Sequence, residues 1–233
     1  MFGVEGECLP LCLGSRPLPV VKQWEHLGVL ISSDESTDHD LALKKGAFIG
    51  KVHNLQQELG KQDPGVFIKL VKIYLLHLYG SSLWDIFDGG STQMWTAWHK
   101  LLKITFNLPL PTHRHLLNEL VECDHPKKLV IKRFIKFSSN LANSNNLHIR
   151  RLHNLQKADM RSCYGRNIRN ICRQARVNDI SLVDFSDIII NPVPEGEEWR
   201  ADMMRALLVE RESPRGFLSE LEVCQMLTAV CCD

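Results

Sequence analysis

Two carboxylate pairs, Asp38/Asp40 and Asp85/Asp88, and a run of His113, His115, Cys123 and His125 are the side chains of this chain whose types and spacing could do chemistry. Two-metal phosphoryl transfer needs carboxylates converging on ions about 4 Å apart. Neither acid pair lies on a strand hairpin that would aim both side chains together, so both read as solvated acids at helix ends. The pattern His-x-His-x7-Cys-x-His offers enough nitrogen and sulfur for zinc, yet it is not a common structural spacing, and loop and helix-cap histidines are the competing reading. The sequence contains no Gly-x-Ser-x-Gly, no Gly-rich phosphate loop with its Lys, and no His-Glu-x-x-His. We therefore assign no catalytic residue, no metal ligand and no cofactor to this chain.

Charge is the stronger signal. The formal net charge is only +1, but the charges are segregated along the chain. Residues 127–176 hold thirteen Lys and Arg against one acid, Asp159, whereas residues 177–233 hold four against twelve. Lys127, Lys128, Lys132, Arg133 and Lys136 recur at helical spacing, with Leu129, Val130, Phe134 and Phe137 on the opposite face. Arg150, Arg151, Lys157, Arg161, Arg166, Arg169, Arg173 and Arg176 extend the basic surface. Like charges at such spacings repel one another, and neutralisation by a polyanion with release of counterions relieves that cost. Internal pairing with the acidic tail is the other way to satisfy them.

The elements that must carry these residues are mostly helices. Residues 8–13 and 16–21 read as short strands about a Gly14-Ser15 turn, and Gly28 interrupts the apolar run 27–31 as a bulge or a close backbone approach would. The cluster Asp34-Glu35-Ser36-Thr37 offers N-caps to a long helix with Leu41, Phe48, Val52, Leu55 and Leu59 inside. Asp63-Pro64-Gly65 opens a second helix burying Val66, Leu70, Ile73, Tyr74 and Leu78, which Gly80 ends. A third, from about Thr92, buries Trp95, Trp98, Leu101, Leu102, Thr105 and Phe106. The two tryptophans read as core rather than as a base-stacking platform, and Trp24 and Tyr79 also read as buried. Thr112 caps a short helix, and Asp124 with Pro126 begins another that runs to about 141. After the linker Asn143-Ser144-Asn145-Asn146 comes a further helix over 147–176. Two acidic amphipathic segments, 198–210 and 218–230, close the chain.

Composition adds bounds. At 233 residues, 44% hydrophobic and 24% charged, the chain has an ordinary globular make-up. Its apolar runs are too short to span a bilayer, and Glu5 and Glu7 stand where a signal peptide needs basic residues. Eight cysteines without a Cys-x-x-Cys repeat suit reduced thiols. The expectation is an intracellular protein, nuclear or cytoplasmic, with no membrane partner.

The order of motifs resembles the C-terminal, post-palm part of a non-LTR (LINE-like) retrotransposon reverse transcriptase. Trp24-Glu25-His26-Leu27-Gly28 is similar to the strand that leads to that family's primer grip, with His26 where the family usually has Tyr. Leu78-Tyr79-Gly80-Ser81-Ser82-Leu83-Trp84 matches its Leu-Tyr-Gly-x-x-x-Trp segment, and Trp98-His99-Lys100-Leu101-Leu102 through Leu108-Pro109 resembles the helix and exit that follow. The similarity covers about residues 1–176, and each motif alone is weak; it is the shared order that is specific. The family's catalytic Tyr-x-Asp-Asp hairpin would lie just before the stretch that Met1-Phe2-Gly3 resembles, and no Asp-Asp pair occurs here. By this resemblance the chain lacks the carboxylates that hold Mg²⁺ in the full-length polymerase, and is inactive alone.

The resemblance implies a mainly α fold, a helical thumb and connector bundle with a small N-terminal antiparallel β-ribbon. Residues 1–33 would be the ribbon resembling the end of the palm and primer grip, with His26, Leu27 and Gly28 grip-like. Residues 34–110 would be a thumb-like bundle, 111–176 a basic connector, and 177–233 an acidic segment. Lys44, Lys45 and Lys51 on the first long helix would contact the template–primer backbone, beside Lys127, Lys128, Lys132, Arg133, Lys136, Arg150 and Arg151 from the basic block. The expected partners are the RNA/DNA template–primer backbone, bound without sequence readout, and the palm and fingers that this chain lacks. The alternatives are a protein-interaction module using the acidic and basic helices and, last, a metal-stabilised domain.

Overall fold

A computed structural model describes residues 12–34, 36–59, 64–119, 125–192, 194–200, 202–203 and 206. The expected strand residues 8–11, Cys123, Asp124 and the segment 218–230 lie outside the described residues. The chain is mainly helical, with two small antiparallel strand pairs at its start. β1 (Cys12–Leu13) and β2 (Arg16–Pro17) flank Gly14-Ser15, and β3 (Gln23–His26) pairs with β4 (Val29–Ser32). His26 faces Val29 in that register, so Leu27 and Gly28 form a two-residue hairpin loop rather than a bulge. Both have positive φ, 48° and 73°, the backbone twist that a tight hairpin requires.

α1 (Asp38–Leu59) buries Leu41, Phe48 and Val52, with Leu55 and Leu59 half-buried; Gly46 and Gly50 do not interrupt it. α2 (Pro64–Tyr74) turns a different face inward than the spacing suggests. Phe67, Ile68 and Val71 are buried, whereas Val66, Ile73 and Tyr74 are exposed. α3 (Gly89–Thr105) starts three residues before the expected Thr92, because the Asp88 carboxylate accepts the Gly89 N–H as its cap. Trp95, Trp98, Leu101 and Leu102 of α3 and the following Phe106 are buried as expected. α4 (Leu116–Glu119) is one turn. The N-cap of α5 (Pro126–Ala142) is His125, whose side chain accepts the Lys127 N–H at 3.0 Å.

The single helix expected over 147–176 is two, α6 (Leu147–Ala158) and α7 (Cys163–Ala175). Ser162 makes the break: its hydroxyl accepts the Gly165 N–H at 2.9 Å and reaches back to the Gln156 and Asp159 carbonyls. Gly165 is required there, since a Cβ at that position would lie 2.1 Å from the Asp159 carbonyl oxygen. Short 3₁₀ turns at Ile180–Leu182 and Phe185–Asp187 follow, placing Ile180 and Ile188 in the core. One hydrophobic cluster includes residues from Leu41 to Ile188 and takes in α1, α2, α3, α4, α5 and α7. Among the described residues no helix is long and apolar enough to cross a membrane.

Trp24 and Tyr79 are not buried; they are 57% and 62% exposed. Each sits beside a chain reversal, Trp24 on the projecting hairpin and Tyr79 before the left-handed Gly80 (φ 79°). Gly80 is the residue of that turn that packs. A Cβ on it would meet Val29 Cγ2 at 2.6 Å, so the absence of a side chain lets the hairpin lie against the turn.

Candidate nucleic-acid interface

The basic surface is built on α5, α6 and α7, which pack in sequence. On α5 the expected inward face is met in part: Val130 and Phe134 are buried and Leu129 and Phe137 half-buried, with Ile131 and Ser138 completing the buried side. It does not give the direction of every cation. Lys127 lies over the Phe87 ring, 4.4 Å from its centroid, and burial lowers its pKa. Arg133 donates to the Leu76 and Leu78 carbonyls, each at 3.2 Å, and so ties α5 to the chain between α2 and α3. Lys132 and Lys136 point outward, one helical turn apart, with Lys132 5.4 Å from the Phe185 ring centroid. Lys128 is half-buried.

Arg150 and Arg151 are exposed on α6. From α7, Arg166 is anchored on Asp85 through Nε and Nη2 at 3.0 and 2.6 Å, and Arg169 donates to the Gly165 and Met160 carbonyls. Lys157 pairs with Asp179 at 2.5 Å, and this contact with the Ser181 donors holds the Asp179 carboxyl well below its usual range. These two ion pairs, Arg166–Asp85 and Lys157–Asp179, are the ones the 127–176 block makes among the described residues. The exposed cations of α5 and α6 are therefore not neutralised by described carboxylates.

The N-terminal cations are placed differently. Lys44 Nζ donates to the Gly28 carbonyl at 2.5 Å, and Lys45 Nζ donates to Gln93 Oε1 at 2.8 Å. Both link α1 to a neighbour, the hairpin tip in one case and α3 in the other. Lys51 is exposed. His26, Leu27 and Gly28 form that exposed tip, which hydrogen bonding to α1 holds in place.

The acids expected to be solvated divide. Asp38 is exposed and Asp88 caps α3, as helix-end acids should. Asp40 is 3% exposed and accepts from Trp84 Nε1–H at 2.7 Å and Leu30 N–H at 3.1 Å, while Asp85 is buried against Arg166. Their reading as solvated is corrected: the partners come from segments distant in sequence, which spacing along one helix cannot show. Asn167 completes this junction. Its amide donates to the Trp84 carbonyl at 2.7 Å and accepts the Ile86 N–H at 3.0 Å.

The histidines form a second buried cluster. His99 and His125 meet Nε2 to Nε2 at 3.1 Å, and Asn191 Nδ2 lies 3.2 Å from His99 Nε2. Because His125 Nδ1 accepts a backbone N–H, neutral His125 carries its proton on Nε2 and donates it to His99. That leaves His99 protonated at Nδ1, a buried atom with no partner. It also leaves His125 no lone pair for a metal on either nitrogen. Burial pushes the pKa of His99 down to about 4 and that of His125 to about 3. His113 stacks on His115, whose Nε2 lies 3.3 Å from a Glu197 carboxylate oxygen and whose pKa burial lowers. Among the described residues no three His, Cys, Asp or Glu side chains are grouped to hold a metal ion. Comparison with protein-family models, curated proteins and solved structures finds no match to this chain.

Proposed function

We propose that this chain is a thumb-and-connector piece of a LINE-like reverse transcriptase that binds the nucleic-acid backbone through the outward cations of α5 and α6. The observation that carries this reading is the exposure of Lys132, Lys136, Arg150 and Arg151 in a block whose described ion pairs use only Lys157 and Arg166. A hairpin leading directly into a 22-residue helix, and a Leu78–Trp84 segment that packs against both, are consistent with the family resemblance. The contacts are phosphate contacts, so they position a duplex without reading its bases. Any polymerisation would need the palm and its Mg²⁺-binding carboxylates from elsewhere.

Titration of a labelled RNA–DNA primer–template at several salt concentrations tests this reading, with a Lys132→Gln/Lys136→Gln/Arg150→Gln/Arg151→Gln variant alongside. Binding should weaken steeply with salt, and the variant should lose up to about 0.9 of log–log slope for each phosphate contact removed. A folded wild-type chain that fails to bind at low salt would refute it. A protein-interaction role is the second reading, favoured by one observation: α6 leaves leucines in solvent beside its arginines.

A further inference from the structure

We infer that the leucine face of α6 is the docking surface for the chain's own acidic segment 217–230, and that this contact competes with polyanions for Arg151. The inference goes beyond backbone binding and stands on a different observation. Of the twelve residues of α6 only His153 is buried. Leu147, Leu152 and Leu155 are 49%, 58% and 69% exposed. At about 100° per residue, these leucines share one side of the helix with Arg151 and His148. A phosphate backbone gains nothing from leucines, whereas a contiguous apolar patch edged by charge marks a protein contact.

The sequence supplies the complement. Phe217, Leu221 and Cys224 recur at spacings of four and three, with Glu220 and Glu222 among them, and no Lys or Arg follows Arg215. α6 contains no acid and its neighbourhood is basic; the segment contains no cation and is acidic. The described chain reaches residue 206, and eleven further residues extend at most about 40 Å. A chain of this length has a radius of gyration of roughly 17 Å, so α6 is within reach from most points of its surface. Tethering sets an effective concentration on the order of millimolar, which populates even a weak contact. A second copy of α6 does not fit this face, because a two-fold contact would set Arg151 near its own equivalent.

Hydrogen exchange of the full chain, without nucleic acid, tests the contact. Glu220→Lys/Glu222→Lys should speed exchange of the amides of 147–158 by about ten-fold while α3 and α5 keep their protection. Adding Arg151→Glu to that variant should restore part of the protection, since the charge is then exchanged rather than removed. If the lysine variant also perturbs α3 and α5, Glu220→Gln/Glu222→Gln gives the same comparison with a milder change. Unchanged α6 exchange in a folded tail variant overturns the inference, and so does protection that grows with protein concentration, which would assign the segment to another molecule. Failure of primer–template binding would leave these exchange results intact, so the two readings fail separately.

Discussion

At the Trp84 junction the side chains of Asp40 and Asn167 are buried and paired, while along α6 and the outer side of α5 polar groups face water beside leucines and other cations. Asp40 serves Trp84 and Leu30 with its two oxygens, and Asn167 uses its donor and its acceptor across the same turn. Such groups specify a packing arrangement, because leaving any one unpaired costs more than forming it contributes. Apart from the Lys132 contact with the Phe185 ring, the outward cations specify no packing. Their energetic effect lies in what they can attract, so structure and function are assigned to different sides of the same helices.

The largest expected break is at the junction. Asp40→Ala strands the Trp84 indole N–H and should cost about 3 kcal/mol, read as a fall in the urea midpoint. Asp40→Asn keeps one acceptor and should cost less. Gly165→Ala comes next, at about 2 kcal/mol, because the colliding atom is a backbone carbonyl that cannot step aside. A condition-dependent effect, small near neutral pH and growing as pH falls, comes from the buried histidines. Their folded pKa values lie below the ordinary 6.5, so the unfolded chain binds more protons between about pH 6.5 and 4. Stability should therefore be full above pH 6.5 and fall as pH drops, by up to about 1.4 kcal/mol per pH unit for each histidine. His99→Gln should flatten that dependence in urea titrations at several pH values. At the bottom of the scale, Lys132→Gln/Lys136→Gln should change stability by less than about 0.5 kcal/mol.

The sequence made some of this legible and hid the rest for identifiable reasons. The inner faces of α1, α3 and α5 follow from apolar spacing, because those helices are amphipathic and bury one stripe. α2 is apolar nearly all round, so its spacing could not choose between Leu70 and Ile68. Periodicity grouped Lys127 and Arg133 with Lys132 and Lys136, but residues at the edge of a stripe turn toward whichever neighbour offers a ring or a carbonyl. Phe87, Leu76 and Leu78 provide these from other segments. The break between α6 and α7 had a signal, Asp159 and Ser162 before Gly165, which the run of arginines obscured. The pairing of His99 with His125, 26 residues apart, had none.

The most direct test compares two pairs of cations on one helix. Lys132→Gln/Lys136→Gln and Lys127→Gln/Arg133→Gln each remove two positive charges from α5, and each variant is measured for thermal stability and for the salt dependence of primer–template binding. The outward pair should reduce the slope by up to about two units with its melting temperature unchanged; the inward pair should lower the melting temperature and leave the slope near wild type. Equal loss of slope from both pairs would contradict the account, since net charge rather than the outward placement of Lys132 and Lys136 would then govern binding.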